Sequence, residues 1–253
     1  MECDEYDLDN GEHQDLLDDV VWDVIIQRLK EGYYDFLAAG PPCETFSHSR
    51  YNQPGPRPLR SVKEPYGFKN LKGFEAEQVR KANLFAARTA EACTILLSQP
   101  YTGFMVENPA PWDNCPSLWI LDEYKILRSQ PDVKYSEFDQ CTVGAVSTKP
   151  TGLLTKGINV DAAGLAFFKR RCDHPAQWHD VDGQWHWGSH PRQIRRKDKS
   201  GKWLTKRLAK WPSLFNHAVA LLVKEAKNKQ KLWALKRKFD DSIATHTRVP
   251  KLQ

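Results

Sequence analysis

The sequence has no run of eighteen or more apolar residues, and this excludes a membrane-spanning helix of the usual length. Glycine is sparse: of the 14 glycines, no two are separated by a single residue, so no glycine-rich phosphate loop of the G-x-G kind exists in the chain. The first residues, MECDEYDLDNGEHQDLLDD, lack the basic-then-apolar pattern of a secretory signal. Without that signal the six scattered cysteines (3, 43, 93, 115, 141 and 172) read as reduced thiols and not as a disulfide framework, and an intracellular location is expected. No internal repeat is present.

What is present is an ordinary globular composition: 253 residues, 40% hydrophobic and 27% charged, enough for one domain with a core. The net charge of +5 is unevenly spread. Residues 1–40 carry 2 basic and 12 acidic side chains, residues 41–190 carry 17 and 16, and residues 191–253 carry 18 and 4, a local balance of +14. A basic terminal quarter suits a polyanion partner, most simply nucleic acid, or else is a solvated lysine-rich tail.

Periodicity predicts a helix over 16–31, with Leu17, Val20, Val21, Val24, Ile25 and Leu29 as its apolar stripe, and a buried strand over 33–40 ending in Gly-Pro-Pro. A long Pro- and Gly-rich loop follows over 51–73. A helix is expected over 74–98, a strand over 101–109, a helix over 117–129, strands over 135–141 and 151–155, irregular chain over 172–203 and a last helical stretch over 213–238. Helices alternating with buried strands predict a parallel α/β sheet, in which ligands sit at the carboxyl ends of the strands. Gly40-Pro41-Pro42-Cys43 and Glu107-Asn108-Pro109 both fall there.

Each proline locks its own φ, so Cys43 is rigidly placed, as a nucleophile requires; a small buried hydrophobe is the simpler alternative. Glu107, at the tip of another strand, is placed to act as an acid or base on the same substrate, or is a solvated loop acid. His48, five residues beyond Cys43, leaves a cysteine hydrolase as a further reading.

The pair GPPCETFS and FMVENPAPW resembles the catalytic motifs of the cytosine-5 DNA methyltransferases. The resemblance covers roughly residues 12–160 and implies a Rossmann-type α/β sheet that binds S-adenosylmethionine. It implies that Cys43 attacks C6 of a flipped-out cytosine, that Glu107 holds N3 and the exocyclic amine, and that the methyl group passes to C5. It further implies that Ser47 contacts a phosphate, that Gly40 and Pro41 lie near the cofactor, and that Pro42, Arg50 and Asn108 lie near the substrate. Asp15, in HQDLLDD, matches an aspartate that contacts the cofactor's adenine; a cap of the following helix is the alternative. Gln140 stands where the family carries Gln-x-Arg-x-Arg, and Lys149 is the nearest basic residue to the two missing arginines.

The family's glycine-rich cofactor turn is missing, so the sheet is expected to lack its first strand, which favours a partner chain or a homo-oligomer completing it. The expected organisation is a methyltransferase-like domain over 1–160, an irregular Trp- and His-rich target-recognition region over 161–212, and a helix with a basic tail over 213–253. In the middle region Trp178, Trp185, Trp187, Trp203 and Trp211 alternate with basic residues that include Arg195 and Arg196, a composition suited to DNA. No metal centre is expected; the set that comes nearest to one is Cys141, Cys172, His174 and His179 as zinc ligands, with His186 and His190 as rivals. A catalytically silent DNA-binding relative of the same family is the alternative function.

Overall fold

The computed structural model describes residues 3–7, 10–51, 55–145, 147–158, 166–172, 177–179, 185–187, 211–224, 226–228 and 231. Helix α1 (Asp19–Lys30) begins at Asp18, whose carboxylate accepts from Val20 N at 2.8 Å as an N-cap. Its buried stripe is Trp22, Ile25, Ile26 and Leu29, the i, i+3, i+4, i+7 set. Val20 and Val24, expected in that stripe, are exposed, because Trp22 turns the buried face away from them.

Strand β1 (Phe36–Ala39) is followed by the long loop and then by α2 (Gly73–Ser98). On α2 the buried face is built from small side chains, Ala82, Ala86 and Ala90, between Val79, Cys93 and Leu96, which lets the helix lie close to the sheet. Strand β2 (Gly103–Pro109) pairs parallel with β1, with Ala39 opposite Val106. A 3₁₀ turn over Leu118–Ile120 and helix α3 (Asp122–Arg128) lead to β3 (Val133–Asp139) and β4 (Pro150–Lys156). The single helix expected over 117–129 is thus broken at Leu121, whose ψ of 146° is extended.

The sheet order is β1-β2-β4-β3. Strand β4 runs antiparallel to both neighbours, so the sheet is mixed and not parallel as expected. The ten residues between β3 and β4 are too few for a crossover helix and enforce an antiparallel return. Strand β1 is half-exposed and not buried, because it forms one edge of the sheet. The architecture is α/β and compatible with a Rossmann-like arrangement.

Two apolar layers flank the sheet. Helices α1, α2 and α3 pack on Phe104, Val106, Val133 and Leu154. On the other face Met105, Phe138 and Leu153 meet Phe168 and a fourth helix, α4 (213–224), through Phe215, Ala218, Val219 and Leu222. Lys227 beyond α4 pairs with Asp35 ahead of β1 at 3.2 Å. Within the stretch expected to be irregular, Gln177–His179 and Trp185–Trp187 form a short antiparallel pair, β5 and β6. No helix among the described residues is long and apolar enough to cross a membrane.

Candidate functional site

One end of the sheet gathers the chemistry. Strands β1 and β2 point their carboxyl ends there, β3 ends there at Asp139, and β4, running the other way, begins there at Pro150. Four residues at these four strand ends converge: Cys43 after β1, Glu107 in β2, Gln140 after β3 and Lys149 before β4. Alternation along β2 puts Glu107 on the same face as Met105, the face covered by α4.

Glu107 is only 6% exposed, yet both oxygens are engaged. Oε1 accepts from Gln140 Nε2 at 3.1 Å and has Lys149 Nζ at 3.7 Å. Oε2 accepts from the indole Nε1 of Trp211 at 2.9 Å. Burial of a carboxylate is tolerated only with such partners. Lys149 reaches it from a left-handed backbone, φ 33°, an uncommon state for a lysine and one further restricted by Pro150. Gln140 N and Thr151 Oγ1 both donate to the Lys149 carbonyl, at 3.3 and 2.9 Å, and hold that turn in place.

Cys43 is half-buried. Burial pushes its thiol up to about 11, the Glu107 charge adds to the rise, and the Lys149 cation opposes it. The resting side chain near neutrality is therefore a thiol, in electrical contact with a carboxylate and an ammonium. Asn108, 1% exposed, donates from Nδ2 to Pro41 O at 2.9 Å and ties the β2 tip to the Pro-Pro-Cys turn. Its Oδ1 is buried with no protein partner. Gly40 is where close approach is needed: a Cβ there would lie 3.1 Å from Trp211 Cζ2 and 3.7 Å from Glu107 Oε2.

The loop after Cys43 is organised by two arginines. Arg50, expected at the substrate, is buried and donates to Glu44 O at 2.7 Å, Arg57 O at 3.0 Å and Gln78 Oε1 at 3.0 Å. Its guanidinium fastens the loop to itself and to α2. Arg60, absent from the sequence expectations, is fully buried, lies over the Phe46 ring at 3.9 Å, and donates to Thr45 Oγ1, Pro65 O and Asn83 Oδ1. Burial in this apolar setting pulls its guanidinium down to about 10. A buried arginine in a Pro-rich loop carries no sequence signal, because exposed arginines are the rule there.

Ser47 shares a hydrogen bond with Ser49 Oγ at 2.8 Å in a local turn, and Pro42 is exposed beside Cys43. The His48 ring stacks on exposed Trp112 with 4.5 Å between centroids. Asp15 accepts from Leu17 N at 2.8 Å, a turn leading into α1. The Cys141 and Cys172 thiols hydrogen-bond one another, and burial with this contact raises Cys141. Of the remaining suggested zinc ligands, His179 stands on β5, while His174 lies outside the described residues, as do Arg195 and Arg196. No cluster of three or more metal-type ligands occurs among the described residues.

Trp211 is the site residue whose contact the sequence did not reveal. It sits just ahead of α4, where Pro212 opens the helix and Asn216 N donates to Pro212 O at 3.0 Å. Pro212 confines Trp211 to extended backbone, and its ring meets Phe215 edge-on at 5.0 Å. Compared with known proteins, the chain matches no family model, no curated protein and no solved structure.

Proposed function

We propose that the chain acts on cytosine in DNA, adding Cys43 to C6 so that a methyl group from S-adenosylmethionine is received at C5. The observation that carries this reading is the meeting of Cys43 with Glu107 at the carboxyl ends of two adjacent parallel strands, with Lys149 beside them. Cytosine C5 is a poor nucleophile. Attack of the Cys43 sulfur on C6 opens the C5–C6 double bond, and the electron pair that would fall on N3 is stabilised by a proton held between N3 and Glu107. The enamine formed is nucleophilic at C5; once C5 has taken an electrophile, its hydrogen leaves as a proton to water, N3 returns its proton to Glu107, and expulsion of the Cys43 sulfur restores the ring. The thiol must first give up its proton, and Lys149 favours its doing so; that proton passes to Glu107, which holds it to N3 as the electron pair arrives there.

The residues expected at the cofactor do not by themselves make a cradle for it. Gly40 faces the Trp211 indole, and Asp15 is engaged with Leu17 N. That β1 is an edge strand supports the further proposal that another strand, from a partner or a second copy, completes the sheet beside it.

The test isolates the thiol and carboxyl chemistry from the methyl donor. The enamine also accepts a proton at C5, so DNA tritiated at cytosine C5 should release tritium to water with no cofactor added. Release that is lost in Cys43→Ser and Glu107→Gln supports the reading; release unaltered in Cys43→Ser refutes covalent attack. A DNA-binding relative without catalysis is favoured by the neutral resting thiol and by the engagement of both Glu107 oxygens. It predicts DNA binding that weakens steeply with salt and no tritium release at all.

A further inference from the structure

We propose that Trp211 stands in for the target base, and that its indole must swing off Glu107 before a cytosine can enter. The inference rests on the cytosine reading of the site. Three observations lead to it. First, the indole N–H is a neutral N–H donor on the edge of a flat ring, on Glu107 Oε2 at 2.9 Å, and a cytosine would likewise offer a neutral N–H from its exocyclic amine. Second, the ring fills the position between the strand tips: its Cζ2 lies 3.1 Å from where a Cβ of Gly40 would stand, against the backbone that leads to Cys43. Third, the other Glu107 oxygen is flanked by Gln140 and Lys149. A carboxylate oxygen accepts two hydrogen bonds, so it is the space taken by the indole or by Gln140, and not the number of acceptors, that an entering base has to reclaim.

The two donors are not equally fixed. Gln140 is held at both backbone ends, its N donating to Lys149 O at 3.3 Å and its O accepting from Ala145 N at 3.0 Å. Its side chain is also buried, at 1% exposure. Trp211 is only half-buried, precedes the first turn of α4, and rests on Phe215 by an edge contact. Helix α4 itself stays anchored through Phe215, Ala218, Val219 and Leu222. A rotation of the Trp211 side chain thus frees Oε2 without disturbing the helix. In this state the site is closed to a base, and admission of the base requires the Trp211 side chain to turn away.

The experiment measures binding of the full chain to a fluorescent duplex with one unpaired cytosine, against the same duplex with an unpaired thymine. The variants are Trp211→Ala and, for the case in which that protein does not fold, Trp211→Phe, which retains a ring on Phe215 but has no N–H. Removing a competing hydrogen bond to a carboxylate is expected to raise the cytosine preference about tenfold in Trp211→Ala and several-fold in Trp211→Phe. An unchanged or lower cytosine preference in the folded variants, with the wild type still preferring cytosine, overturns the proposal and makes Trp211 a fixed wall of the site. No preference for cytosine in wild type or variants overturns the cytosine reading, and the base-surrogate role with it.

Discussion

The Lys149–Glu107 contact can be tested through stability. Lys149→Met keeps most of the side-chain volume and removes the cation 3.7 Å from Glu107 Oε1. At that distance an effective dielectric of about 20 gives a gross attraction of about 4–5 kcal/mol. Part of this is offset by the desolvation of two side chains that are only 15% and 8% exposed. After the substitution Glu107 keeps the bonds from Gln140 and Trp211, so its charge is left buried but not bare. The expected net loss is about 2–3 kcal/mol. Glu107→Gln has a different cost. Its amide nitrogen is accommodated on the Gln140 side only if the Gln140 amide turns over to present its oxygen, while its own oxygen goes on accepting from Trp211 Nε1; the neutral bonds that replace the charge-assisted ones are weaker by about 1–2 kcal/mol. The double variant contains neither charge, so it should be less destabilised than the two losses together, with a coupling of about 1–3 kcal/mol. Guanidinium unfolding of the four proteins, with the slope unchanged between them, measures that coupling. A Lys149→Met protein within about 0.5 kcal/mol of wild type, with additive behaviour in the cycle, would refute the energetic link and leave the unusual Lys149 backbone without a purpose.

The remaining predictions concern the same end of the sheet. Brief alkylation of Cys43 by iodoacetamide, followed by mass spectrometry of its peptide, should accelerate about tenfold per pH unit and level off only near its raised value of about 11. Loss of the negative neighbour in Glu107→Gln moves that inflection down, loss of the cation in Lys149→Met moves it up, and a wild-type inflection near the ordinary thiol value of about 8.5 would sink the account of Cys43. Gly152→Ala places a Cβ 2.5 Å from Tyr135 Oη and 2.7 Å from Trp119 Nε1, the indole that donates to Pro109 O at the β2 tip. Thermal melting should show a loss of about 1–3 kcal/mol, and an unchanged melting point would mean that this corner of the sheet is loosely packed.

What the sequence reveals about this site follows from how local each signal is. Cys43 and Glu107 stand out because each ends an apolar run at a proline, so their placement at strand tips is written within a few residues of themselves. The order of the strands is not local in this way. Strands β3 and β4 read as ordinary strands, but insertion of β4 between β2 and β3 depends on the short return between them and on the pairing of Glu107 with Leu153, which no periodicity encodes. Lys149 reads from the sequence only as the nearest basic residue to the missing arginines, and the fold brings it to Glu107, because the antiparallel β4 begins where β2 ends. Arg50 shows the converse: a basic residue just past a catalytic-type motif looks like a substrate contact, but three internal acceptors bind it into its own loop. Trp211 lies furthest from any local signal, since its partner Glu107 is 104 residues away. Among several tryptophans set between basic residues, only the fold distinguishes it, because α4 covers the face on which Glu107 lies. That same contact bears on the proposed chemistry. A carboxylate that already has two donors and a cation is stable in the folded protein, and under the proposed reading a base that binds it competes with an indole already in place.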